Sequence, residues 1–171
     1  MRKLLIAIVC VLLAGCGPCD TRPDAQKLAD FRAQVAAIDK RVTAASDVYT
    51  KASNAALDRG DHAALDNAAV VLQSALSAIR PDAVALKAPA FANATARDHA
   101  DQVRLAVLAG LDANRDAAIA IGRIADIKNP TVAELSAVQQ AKNRVSQANL
   151  AENDAMFSLF TDLGASPGPA R

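Results

Sequence analysis

The sequence predicts an all-α fold, specifically an elongated antiparallel up-down-up-down four-helix bundle with an alanine-rich core. Three observations carry this. Apolar residues recur at alternating spacings of three and four through four long segments, the period of one helical face packed on another. Capping or breaking residues bound each segment. No stretch shows the two-residue alternation of a half-buried strand, while alanine, the best helix former, makes up about a quarter of the 171 residues.

The first helix is expected from Asp24 to Arg59, with Leu28, Phe31, Val35, Ile38, Val42, Ala45, Tyr49, Ala52 and Ala56 on its inner face. Thr21, three positions before Asp24, is the expected cap, and Gly60 supplies the left-handed stop. Asp61 opens the second helix, whose inner line is Leu65, Ala68, Leu72, Ala75, Ile79, Ala83 and Leu86. Pro81 lacks a backbone donor and is expected to kink it, and Pro89 to end it.

The third helix is expected over about Thr95 to Ile127, opened by Thr95 and Asp98, with Val103, Ala106, Gly110, Ala113, Ala117, Ala120, Ile124 and Ile127 in line. From Ala106 to Ala120 that stripe holds nothing larger than alanine, so neighbouring helices can approach closely. Asn129-Pro130 breaks the chain, and Thr131 with Glu134 forms a capping box for the fourth helix, which runs to Leu163 before Gly164. The fourth helix carries a phase conflict. Its stripe from Leu135 and Val138 leads to Lys142, Val145, Asn149, Glu152, Met156 and Leu159, whereas a modest rotation would bring Ala141, Ala148 and Ala155 inward. A buried Lys or Glu without a partner is costly, which favours the rotation. It leaves Lys142, Asn149 and Glu152 at the boundary as a candidate contact strip for a partner protein.

Ahead of the bundle, Arg2 and Lys3 precede an apolar run from Leu4 to Ala14, the arrangement of a signal peptide. The run is too short for a membrane-spanning helix, which needs about 17–25 residues. Leu13-Ala14-Gly15-Cys16 resembles the lipobox of bacterial lipoproteins. That resemblance covers only the leader and implies removal of residues 1–15, with diacylglycerol on Cys16 and a further acyl chain, such as palmitate, on the new amine. Two or more chains give stable anchoring. Gly17, where aspartate often signals inner-membrane retention in this family, points to the periplasmic face of the outer membrane. Residues 16–23 then form a lipidated tether reaching at most about 25 Å. Residues 24–163 form the bundle, and residues 164–171 a tail too rich in Pro and Gly to stay ordered.

Cys10 leaves with the leader and Cys16 is committed to lipid, so Cys19 has no partner for an intramolecular disulfide. Loss of Arg2 and Lys3 turns the formal net charge of +1 into −1, and aromatic residues are 3% of the chain. A nucleic-acid binder's basic footprint and stacking platform are both missing.

Chemistry is sparse. His62 and His99 fall near opposite ends of the second helix and cannot share a metal, and neither Glu134 nor Glu152 has a histidine at di-metal spacing. Cys16-Gly17-Pro18-Cys19 lacks the following histidine of a haem site. No nucleophile motif or phosphate loop is present. His99 reads as a structural histidine. No cofactor or metal is expected, and the first expectation is a non-enzymatic interaction protein that contacts an envelope protein, as an assembly factor or an inhibitor. The topology gathers Phe31, Phe91, Phe157 and Phe160 at the tethered end, either as a core plug or as an apolar site for a small ligand or lipid. An enzyme built from Asp and Arg alone is the remaining alternative.

Overall fold

The computed structural model describes residues 20–125, 127 and 129–166. They form four helices, α1 Asp24–Arg59, α2 His62–Ala85, α3 Ala94–Ala125 and α4 Val132–Asp162. Among the described residues there is no strand, and no helix is long and apolar enough to cross a membrane. The predicted leader, Cys10, the expected lipidation site Cys16, Cys19 and residues 167–171 lie outside the described residues.

Local chemistry sets several of the helix ends. Gly60 adopts φ 63° after α1, and Asp61 N–H donates back to the Ala56 carbonyl at 2.9 Å. Gly164 repeats the device after α4 with φ 61°, the Ala165 N–H donating to Phe160 at 2.9 Å. Asp61 caps α2 by accepting from the Ala64 N–H at 2.9 Å. At α4 the capping box is complete. The Thr131 hydroxyl oxygen accepts from the Glu134 N–H at 3.3 Å, and the Glu134 carboxylate accepts from the Thr131 N–H at 2.7 Å. Thr131→Ala is therefore expected to destabilise the fold by about 1 kcal/mol in denaturant titrations, with an unchanged m-value.

Several expected boundaries differ. Thr21 does not cap α1. Pro23 holds that position with no side-chain bond, its carbonyl accepting from the Gln26 and Lys27 N–H groups at 3.0 and 3.1 Å. α2 passes through Pro81 but ends at Ala85, ahead of Pro89. Pro89 has no N–H to donate to the Ala85 carbonyl, and the connection beyond Ala85 carries Leu86 and Phe91 into the core. α3 is opened by Asn93 rather than Thr95, the Asn93 side-chain oxygen accepting from the Thr95 N–H at 2.9 Å, and it ends at Ala125, short of Ile127.

The inner faces follow the apolar spacing with drift. On α1, Leu28, Phe31, Val35 and Ile38 are buried, but near the far end Ser53 replaces Ala52 on the inside. A straight helix turns about 20° per heptad away from a 3.5-residue repeat, which accounts for the slip. The Ser53 hydroxyl donates to the Thr50 carbonyl at 3.1 Å. On α3 a second line, Val107, Leu111 and Ala118, is buried beside Ala106, Ala113 and Ala117, because α3 packs against both α2 and α4. On α4 the rotated phase is the one adopted: Ala141, Ala148 and Ala155 are buried, while Leu135 is 51% exposed.

Partner numbers fall along each consecutive pair of helices as the helix numbers rise. Asp24 and Arg41 on α1 meet Ala92 and Asp82. On α2, Ala69 lies against Gly122 and Arg80 pairs with Asp112. His99 and Asp116 on α3 meet Asp162 and Arg144 at 2.6 and 3.5 Å. α3 and α4 pack most extensively, whereas α1 and α4 approach each other far less closely. That loose seam defines the site below.

Candidate functional site

A groove of about 650 Å³ runs along the α1–α4 seam. α1 contributes Asp39, Val42, Thr43 and Ser46, and α4 contributes Val145, Asn149, Glu152 and Asn153. Asn114 of α3 lies beneath, its amide donating to the Gly110 carbonyl at 2.8 Å. The lining is polar apart from Val42 and Val145, and the backbones stand too far apart for small side chains to close the gap. Apolar filling would require large residues, and this stretch of both helices has few.

The three strip residues are not equivalent. Lys142 and Asn149 are exposed, and Asn149 also lines the groove. Glu152 is half-buried and faces Asp39 of α1 across the seam, the two carboxyls sharing a hydrogen bond. Burial pushes Glu152 up to about 8, and the neighbouring Asp39 charge adds to the shift. Burial also raises Asp39, opposed by its bond with Glu152. A like-charged pair in partial burial retains one proton between them at neutral pH. Sequence reading placed Glu152 at a boundary but missed Asp39. Asp39 sits one residue after the core Ile38, on the flank of its own helical face, and only the distance between α1 and α4 identifies its partner.

The four phenylalanines separate as well. Phe31, Phe91 and Phe160 belong to the hydrophobic core, and Phe31 and Phe91 are each 1% exposed. Phe157 is 61% exposed and lies outside that cluster. Beside them a smaller recess of about 260 Å³ is lined by Leu28, Arg32, Phe160 and Leu163, among others. The Arg32 guanidinium stands 5.3 Å from the Phe160 ring centroid, within cation–π range.

The same end holds a residue the apolar pattern could not show. Lys27 is 6% exposed, and its ammonium donates to the Ala90 carbonyl at 2.8 Å and to Asp24 at 3.2 Å. Asp24 in turn accepts from the Ala92 N–H at 3.1 Å. This clamp ties the start of α1 to the α2–α3 connection. Burying the ammonium is tolerable because both partners are in place.

His99 Nδ1 bonds Asp162 at 2.6 Å, joining the start of α3 to the end of α4. His62 begins α2. The Arg and Asp side chains an unrecognised catalytic site would use are largely spread in pairs between helices, Arg41 with Asp82, Arg80 with Asp112 and Arg144 with Asp116. Exposed pairs of this kind contribute about 0–1 kcal/mol each. No group of three or more His, Cys, Asp or Glu side chains capable of holding a metal occurs among the described residues. Comparison of the chain with protein-family models, curated proteins and solved structures finds no match.

Proposed function

We propose that the protein is a lipid-anchored, non-enzymatic interaction module, an up-down-up-down antiparallel bundle with an alanine-rich core. It is tethered through Cys16 to the periplasmic face of the outer membrane and presents α4 to an envelope protein. The falling partner numbers along consecutive helices support the topology. The buried alanines of α3 and α4 support the close packing. The lipobox resemblance supports the anchor.

The observation that carries the interaction reading is the α4 strip. Asn149 stands exposed at the polar groove and Lys142 is exposed seven residues earlier on the same helix, whose inner face is already satisfied by Ala141, Ala148 and Ala155. Neither side chain is needed for the core. A ligand- or lipid-binding role at the aromatic end has less support, since three of its four rings are core residues and the recess beside Arg32 is small.

The test is photo-crosslinking in intact cells from positions 142 and 149, with the exposed Val48 of α1 as control. A discrete adduct is expected from the α4 strip and not from α1, and Lys142→Glu should abolish it while leaving thermal stability within about 0.5 kcal/mol of wild type. Equal capture from both faces, no adduct at all, or an adduct indifferent to Lys142→Glu would sink the reading.

A further inference from the structure

We propose that Asp39 and Glu152 form an acid-closed latch on the α1–α4 seam, in which one shared proton holds the two helices together and its loss widens the groove between them. The inference stands on the packing and does not depend on whether α4 carries a partner. α1 and α4 lack the close backbone approach of the other neighbouring pairs, so side chains that cross the gap decide how firmly it is shut. Among the residues lining the groove, the ionisable groups are the two carboxyls, Asp39 from α1 and Glu152 from α4.

Nothing charged compensates them within the groove. From α1 the ionisable lining group is Asp39, and Val42, Thr43 and Ser46 are neutral. From α3 the lining group is Asn114, an uncharged amide already donating to Gly110. On α4, Val145, Asn149 and Asn153 are neutral too. The nearby cation Arg41 is paired with Asp82 of α2, and Arg144 with Asp116 of α3. With one proton, the pair is a hydrogen bond between a carboxylic acid and a carboxylate. Without it, two negative charges face each other in partial burial, where screening is weaker than at the surface.

The sign follows from linkage. Glu152 is raised from an ordinary value of 4.5 to about 8, so between those values the folded chain holds a proton that the unfolded chain has released. Its contribution to stability is fully present below about 4.5, declines as pH rises, and is gone once pH passes about 8. This is opposite in direction to the usual acid lability of paired carboxylates.

Tyr49 is a built-in reporter. It is the single tyrosine of a chain without tryptophan, it sits on α1 beyond the groove, and it packs partly buried on the core. Burial raises its hydroxyl above the ordinary tyrosine value of 10.0, so its emission is not confused by its own ionisation near pH 8. The experiment follows melting temperature and acrylamide quenching of Tyr49 in the full chain from about pH 5 to about pH 9. The carboxyl ¹³C resonances are titrated in parallel. For wild type, melting temperature should fall from the acid end of that range and level off above about pH 8, while quenching rises as pH passes about 8, with Glu152 titrating well above the ordinary carboxylate region. Glu152→Gln keeps a donor to Asp39 and cannot ionise, so both curves should flatten. Asp39→Asn removes the like charge, so Glu152 should titrate closer to normal; this variant decides the matter if Glu152→Gln fails to fold. Ordinary titration of Glu152 in the wild type, or quenching that rises equally in the substituted chains, would overturn the latch.

Discussion

Phe31→Ala is expected to lower stability by about 3–5 kcal/mol, a melting-temperature drop on the order of 6–20 °C for a domain of this size. The ring is fully buried among Leu, Val and Phe side chains in the main core cluster. Truncation therefore loses its transfer free energy and leaves a cavity that rigid neighbouring helices cannot collapse. Typical domains have only about 5–15 kcal/mol in hand, so this change approaches the limit of what the fold can survive. Phe157→Ala provides the contrast. Its ring is mostly exposed and outside the cluster, so the cost should stay within about 0.5 kcal/mol. Calorimetry of both variants separates a structural plug from a binding surface. Equal and small effects would show that the aromatic end is not cohesive core.

Cys16→Ser has the other large expected effect, and it is close to all-or-none. A serine hydroxyl cannot take the place of the thiol that carries diacylglycerol in lipoproteins of the kind the leader resembles. The variant should accumulate as an unprocessed precursor, and intact mass should show neither the loss of residues 1–15 nor the added lipid. Each chain adds about 0.8 kcal/mol per buried CH₂, so the wild type should resist salt extraction and yield only to detergent. A wild-type mature chain that begins elsewhere and is released without detergent would remove the anchor and the predicted periplasmic address together. The bundle's stability should be unaffected in either case, since the first helix begins at Asp24.

These two experiments probe what was legible in the sequence at different ranges. The helices and several of their ends were readable because the determining groups lie within three to five residues of one another. Thr131 with Glu134, Asp61 before α2, and Gly60 and Gly164 each complete a local bond or adopt a local backbone conformation. The α4 rotation was also within reach, because misplacing Lys142 or Glu152 carries a penalty that alanine at 141, 148 and 155 avoids. The lipobox resemblance is local in the same sense, resting on four adjacent residues.

What the tertiary structure alone decided involves distances between helices. The burial of Leu86 and Phe91 beyond the end of α2 is a tertiary fact, since the α2–α3 connection carries both into the core. Lys27 reads as a surface residue until the Ala90 carbonyl and Asp24 are found around its ammonium, a contact spanning 63 residues. Asp39 is unremarked on its own helix and Glu152 reads only as a boundary residue; they face one groove together only where α1 and α4 stand apart. Periodicity reports which face of a helix turns inward, since that is a property of one helix. It carries no information on how far away the next helix lies, and that spacing is what makes a groove, a clamp or a latch.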